Sequence, residues 1–140
     1  MAENCRHLVI VLGDQLDDSS AAFDGFDASA DTVWMAEVAS EAEHVWSHKS
    51  RIALFLAAMR HFRSRLDENG ITVHYTSIQD EENEGSFGRQ LQADIAKLQP
   101  KRLIVVRPGE WRVERELVDA AAEASIELEI RPDRHFLSSI

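Results

Sequence analysis

The sequence opens with an uninterrupted apolar run that leads directly into a glycine. His7 to Leu12 reads His-Leu-Val-Ile-Val-Leu, and Gly13, Asp14, Gln15 and Leu16 follow. A run rich in β-branched residues without polar alternation is typical of a strand covered on both faces, as in a parallel sheet flanked by helices. Gly13 allows close backbone approach, and ligands of such sheets bind at the carboxyl ends of strands. This junction is either a plain polar turn or the edge of a binding crevice.

The rest of the chain alternates predicted strands and helices. Asn69-Gly70 ends the longest helix because glycine accepts the left-handed conformation, Ser86 caps the next helix, and Pro100 breaks it. The polar alternation of the last strand is typical of a sheet edge with one wet face. The predicted strands after the first are Thr32 to Ala36, Ile71 to Tyr75, Leu103 to Val106 and Ile126 to Ile130, and the predicted helices are 48–68, Ser86 to Leu98 and Trp111 to Ala124.

Repeated strand–helix units of this kind predict an α/β fold, a Rossmann-like three-layer domain with a five-stranded parallel sheet flanked by helices. Its 140 residues fit one domain. We assign residues 1–132 to that domain. Residues 133–140 complete no recognisable helix or strand and are interpreted as leading toward a part of the protein that is absent here.

Charge and cysteine content exclude several classes of protein. A net charge of −10 argues against a broad basic surface for nucleic acid on this chain. The single Cys5 cannot form an internal disulfide or hold an iron–sulfur cluster, which fits a reducing cytoplasm. No apolar window is long enough to predict a membrane span, so we expect a cytoplasmic protein that is not exported.

The glycine-rich signatures of dinucleotide and triphosphate sites are missing, so an anion cradle is not predicted. The predicted crevice instead carries acidic and amide groups: Asp14, Gln15, Glu37 after the second strand, and Glu41 further on. Such acceptors suit a ligand that offers N–H and O–H donors, such as a heteroaromatic ring carrying a polyol.

Two histidines follow Glu41 at helical spacing. Glu41, His44 and His48 stand at i, i+3 and i+7, a spacing zinc can use, but no third anchored ligand or flanking zinc motif accompanies them. A surface or pocket-lining role is the default for these histidines. Ile52 and Phe55 follow on the long helix, where they either pack in the core or lie against a ring in the crevice.

The loop after the fourth predicted strand contains Glu110, Trp111 and Arg112. It is either a turn with Trp111 packed on the sheet or a docking surface for a partner domain, because Trp and Arg are enriched at interaction hot spots. The basic segment Arg60 to Arg65 on the long helix is interpreted as a solvated face.

Seven short segments in order resemble the N-terminal domain of the deoxyribodipyrimidine photolyase-related family, which includes iron–sulfur bacterial cryptochromes and (6-4) photolyases. The resemblance spans nearly the whole chain. The segments are Leu12 to Leu16, Ala36 to Val38, His48-Lys49, Ala58 to Phe62, Gly85 to Phe87, Pro108 to Arg112 and Arg134 to Ser139.

The resemblance implies an antenna domain followed by a helical domain. That helical domain would hold FAD and a [4Fe–4S] cluster and contact DNA, and it would begin where this chain stops. It implies that the crevice accepts 6,7-dimethyl-8-ribityllumazine, with Asp14 and Glu41 as hydrogen-bonding residues. It places the other site residues around the pigment: Gly13, Gln15, Leu16, Glu37, Val38, His48, Ile52 and Phe55. The Glu110 to Arg112 region would contact the helical domain, and residues 133–140 would begin the linker to it.

We therefore expect a non-catalytic antenna-chromophore domain of a photolyase or cryptochrome, whose full-length protein would be a lyase or a blue-light sensor. Two alternatives remain open. One is a stand-alone nucleotide- or flavin-binding module of the same architecture. The other is a small hydrolase that uses Asp14 and Glu37 as an acid–base pair.

Overall fold

The computed structural model describes residues 5–13, 15–16, 20–38 and 49–132, with the side chains of residues 49–52 left out. The described residues form five strands, three α-helices and one short 3₁₀ turn at Ala21–Phe23. The strands are β1 (His7–Ile10), β2 (Thr32–Ala36), β3 (Val73–Thr76), β4 (Arg102–Val106) and β5 (Glu127–Arg131). The helices are α1 (Lys49–Glu68), α2 (Phe87–Leu98) and α3 (Trp111–Glu123).

All five strands are parallel and lie in the order β3-β2-β1-β4-β5. The predicted Rossmann-like α/β fold is therefore confirmed. The chain moves from β1 outward to β2 and β3, and then returns to the other side of β1 to form β4 and β5. The topological switch point, where ligands of such sheets bind, consequently lies between the carboxyl ends of β1 and β4.

Alternate strand residues supply the two halves of the core, as expected for side chains that point to opposite faces of a sheet. One face packs against α2 and α3, and its centre holds Trp34, Leu91 and Leu117. The other face packs against α1 and the 3₁₀ turn, and its centre holds Met35 and Phe62. The strands thus fill the middle layer of a three-layer domain.

Local signals position the helix ends where the sequence predicts them. Gly70 has a φ of +78° and its N–H donates to the carbonyl of Asp67, while the N–H of Ile71 donates to Leu66. The hydroxyl of Ser86 accepts a hydrogen bond from the N–H of Arg89 at the start of α2. The first strand is two residues shorter than predicted, although Val11 still donates to the carbonyl of Trp34.

A buried carboxylate ties the edge of the sheet to α2. Asp94 is fully buried, and its Oδ2 accepts hydrogen bonds from Trp34 Nε1 at 2.7 Å and from Gln90 Nε2 at 3.1 Å. Its Oδ1 lies 3.1 Å from His74 Nε2 and is satisfied only when that nitrogen carries a proton. Burial raises the pKa of Asp94, but the bonds from His74, Trp34 and Gln90 outweigh it and hold the pKa below its usual value.

In the described parts of the chain, every helix is too short or too polar to cross a membrane.

Replacing Asp94 with Asn is expected to lower the free energy of unfolding by about 2 kcal/mol, because the buried acceptor loses its charge and one of its two oxygens becomes an amide group that cannot accept a hydrogen bond. Urea denaturation followed by tryptophan fluorescence measures this change. The matched control is Asp67→Asn, which removes only an exposed pair with Arg63 and is expected to cost less than about 1 kcal/mol. Equal losses in the two variants would contradict the structural role of Asp94.

Candidate ligand site at the carboxyl edge of the sheet

The segment after β1 makes a tight turn, and its Gln15 side chain contacts β4 on the other side of the switch point. The N–H of Gln15 donates to the carbonyl of Leu12, which closes a tight turn. The side chain of Gln15 then extends across the edge, and its Nε2 donates to the carbonyl of Val106 at the end of β4, 2.9 Å away. The amide donor predicted to meet a ligand therefore bridges the two strands that border the crevice.

An aromatic ring lies directly against Gly13. The tip of the Phe55 ring, which extends from α1, points at the glycine backbone. A Cβ at position 13 would lie 2.8 Å from Cε1 and 2.9 Å from Cε2 of that ring, and still closer to Cζ. Only glycine leaves the space that this ring occupies. The space beside the carboxyl end of β1 is therefore filled by the protein's own Phe55 ring.

Glu37, which follows β2, is buried and fully bonded. Its Oε1 accepts from Arg60 Nη2 at 2.8 Å and from the N–H of Ile78 at 2.9 Å. Its Oε2 accepts from Arg60 Nε at 2.8 Å and from the hydroxyl of Tyr75. The Asn83 side chain adds a hydrogen bond to the backbone carbonyl of Glu37. These contacts join β2, α1, β3 and the loop after β3.

The ionised state of Glu37 is favoured in this setting. Burial raises its pKa, but the hydrogen bonds from Arg60, Tyr75 and Ile78 and the charge of Arg60 together hold the pKa below its usual value. The same contacts raise the pKa values of Arg60 and, together with burial, of Tyr75. Glu37 is thus a structural anchor that is ionised near neutral pH and has no proton to donate there.

The predicted site residues fall on both sides of the sheet. Leu16 and Phe55 pack against the cluster between the sheet and α1. Val38 is buried in the opposite cluster, with α2 and α3. Gly13, Leu16 and Phe55 are therefore brought together, and the Val38 side chain lies on the other face.

Asp14, Glu41 and His48 are outside the described residues, as is the side chain of Ile52, so their predicted roles stay predictions.

Sequence reasoning missed the partner of Glu37. The sequence pattern predicts a solvated face that includes Arg60, and the Arg60 side chain is 51% exposed, yet its guanidinium donates two hydrogen bonds to Glu37, from Nε and Nη2. The available signal was an acidic residue at the end of a buried strand, since such a charge needs a nearby cation. Within the described ranges, the acidic, His and Cys side chains form no group of three that could hold a metal ion.

Comparison with known proteins gives two matches. A family model described as deoxyribodipyrimidine photo-lyase-related protein matches residues 9–140. A (6-4) photolyase from Agrobacterium fabrum is 47% identical over 132 residues, which cover 94% of this chain and 26% of that protein. The chain thus spans about a quarter of the length of this relative.

Replacing Glu37 with Gln is expected to lower the free energy of unfolding by about 3 kcal/mol, because the buried charged acceptor of four hydrogen bonds becomes a neutral amide that keeps only one acceptor oxygen. Since the folded state lowers the pKa of Glu37, its contribution is present above about pH 4.3 and is lost as the pH falls further. Urea denaturation from pH 7 to pH 3 measures both effects.

The control for this variant is Glu82→Gln, which disrupts only an exposed pair with Lys97 and is expected to cost less than about 1 kcal/mol. If Glu37→Gln matches this control at pH 7, the anchoring role of Glu37 is wrong.

Replacing Gly13 with Ala is expected to destabilise the protein by about 1–3 kcal/mol, because the new methyl group collides with the Phe55 ring. Phe55→Leu removes the colliding ring tip, so the double variant Gly13→Ala/Phe55→Leu should recover part of that loss. Thermal unfolding of the four proteins in a double-mutant cycle measures the coupling. Additive effects would show that Phe55 does not contact Gly13 in solution.

Proposed function

The chain belongs to the deoxyribodipyrimidine photolyase-related protein family, and from this premise we propose that it binds a light-absorbing antenna pigment at the carboxyl edge of its sheet. The observation that carries the proposal is the glycine at the carboxyl end of β1, at the topological switch point, where the three atoms nearest to a Cβ would all belong to the Phe55 side chain and none to the backbone. With the Phe55 side chain turned away, this glycine would leave space for a planar heteroaromatic molecule at the place where such sheets bind ligands.

We propose 6,7-dimethyl-8-ribityllumazine as the pigment. Gly13, Gln15 and Leu16 would border the ring, and Asp14 and Glu41 would bond its polar groups. Because the Phe55 ring occupies the space next to Gly13, this side chain must turn away when the pigment binds. Bound lumazine would supply the absorption of light, and the protein would supply a fixed ring orientation.

The contacts of Glu37 favour a binding module over the hydrolase alternative. Glu37 is held ionised, so it has no proton to give as a general acid, and its two oxygens already accept four hydrogen bonds, so it is not available as a general base. The proposed role needs no nucleophile or general base. The remaining chemistry, on FAD and a [4Fe–4S] cluster, would reside in a helical domain after residue 140, in a protein that acts in DNA repair or light sensing.

The length of the relative favours this arrangement over a stand-alone nucleotide- or flavin-binding module, since this chain covers only 26% of that (6-4) photolyase. The free, buried thiol of Cys5 agrees with the cytoplasmic location that we propose.

The test is uptake of 6,7-dimethyl-8-ribityllumazine by the purified chain, measured by equilibrium dialysis and the absorption spectrum of the bound pigment. Asp14→Asn and Glu41→Gln are each expected to weaken binding about tenfold or more, because each removes a charged acceptor. The control is Glu81→Gln, an exposed residue in the loop after β3, which should bind as the parent does. Phe55→Leu should bind more tightly because it opens the space above Gly13.

Failure of the parent and of Phe55→Leu to take up lumazine would contradict the proposal. Equal uptake by the parent, Asp14→Asn and Glu41→Gln would place the pigment elsewhere. Preferential uptake of FAD or a nucleotide by the same chain would support the stand-alone module instead.

A further inference from the structure

Helices α2 and α3 pack on the same face of the sheet and leave a depression between them, toward their carboxyl ends. It has a volume of about 370 Å³ and is lined by Gln92, Ile95, Ala96, Glu123 and Ala124. Because α2 leads into β4 and α3 leads into β5, both helices end at the edge of the sheet where these strands begin. The depression therefore lies at the opposite end of the sheet from the switch point between β1 and β4.

Short side chains leave this space unfilled. Near the start of α2 the two helices are in direct contact, because the N–H of Gly88 donates to Glu116 Oε1 at 3.0 Å. A Cβ at Gly88 would lie 3.6 Å from the carbonyl oxygen of Glu116. Toward the other end, Ala96 and Ala124 are too short to fill the space between the helices. Ile95 is buried there and gives the depression an apolar floor.

The rim of the depression is acidic. Glu123 Oε1 accepts a hydrogen bond from Gln92 Nε2 at 2.9 Å, which holds the carboxylate beside the space. This bond comes from a neutral amide and leaves the charge of Glu123 unbalanced, and none of the described residues forms an ion pair with it. Lys97, which follows Ala96, pairs instead with Glu82 at 2.6 Å. A cation from outside could therefore pair with Glu123.

The ends of both helices add to the negative potential. Helix α2 ends at Leu98, two residues after Ala96, and α3 ends at Glu123. The last carbonyl groups of a helix carry a partial negative charge, which favours a cation nearby. The net charge of −10 on the whole chain acts in the same direction. An apolar floor and a negative rim together suit a ligand with an apolar body and a positively charged head.

We propose that this depression is a second binding site, which takes a small organic cation with an ammonium head and a short apolar body. The head would bond to Glu123, and the body would lie on Ile95 between Ala96 and Ala124. A small molecule suits the depression better than a protein, because five residues line it whereas a stable protein interface engages about 20–30 residues on each side. The proposal does not depend on the pigment site at the other end of the sheet.

The experiment is a titration of the ¹⁵N-labelled chain with n-hexylammonium chloride at low ionic strength, followed by backbone amide resonances. Saturable shifts are expected at Ala96 and Ala124. Glu123→Gln keeps an acceptor for Gln92 but removes the charge, so it should weaken binding about threefold to fivefold. Its control is Glu68→Gln, the same change at an exposed position of α1 on the other face of the sheet, which should bind as the parent does.

A second pair of variants tests the shape of the site. Ala96→Leu places a larger side chain in the depression from an exposed position and should weaken binding about tenfold or more, whereas Ala122→Leu, exposed on α3 outside the lining, should not change it. n-Hexanoate, which has a similar apolar body and the opposite charge, should give no saturable shifts at Ala124.

Three results would each overturn the proposal. The first is the absence of saturable shifts at Ala96 and Ala124 when n-hexylammonium is added to the parent. The second is equal affinity for n-hexylammonium in a variant and its control, either Glu123→Gln and Glu68→Gln or Ala96→Leu and Ala122→Leu. The third is binding of n-hexanoate as tight as that of n-hexylammonium. Lumazine uptake is a separate measurement at the other end of the sheet, so its failure would refute the pigment site alone.

Discussion

The carboxyl edge of the sheet depends on one buried carboxylate. Glu37 accepts hydrogen bonds from two nitrogens of Arg60, the hydroxyl of Tyr75 and the N–H of Ile78, so four donors converge on a side chain that is 2% exposed. These donors belong to α1, β3 and the loop after β3. Because Phe55 also lies on α1, the hydrogen bonds between Arg60 and Glu37 fix the helix from which the Phe55 ring contacts Gly13. Charge burial here provides rigidity at the carboxyl edge of the sheet rather than reactivity.

Much of the fold could be predicted from the sequence because the relevant signals are local. The bounds of β2 follow from five consecutive buried residues, and Asn69-Gly70 and Ser86 mark helix ends through their own backbone and side-chain preferences. The polar alternation of β5 predicts an edge strand, and β5 is an edge strand. Parallel order then follows from the alternation of strands and helices.

The candidate site was less predictable because its contacts join distant parts of the chain. Arg60 reaches Glu37 across 23 positions, and Trp34 reaches Asp94 across 60. Periodicity places such residues on faces but does not pair them. The opposite orientation of Val38 could have been found, since neighbouring strand residues point to opposite faces, and Glu37 faces α1. The approach of Phe55 to Gly13 depends on how α1 packs against the sheet, and no local sequence pattern predicts it.

The most direct measurement of where the pigment binds is a titration of the ¹⁵N-labelled chain with 6,7-dimethyl-8-ribityllumazine, followed by backbone amide resonances. The account predicts saturable shifts at Gly13, Gln15 and Phe55, around the switch point between β1 and β4. A depression of about 370 Å³ lies away from this edge, between α2 and α3, and is lined by Gln92, Ile95, Ala96, Glu123 and Ala124. Shifts confined to that depression, or no saturable shifts at all, would contradict the account.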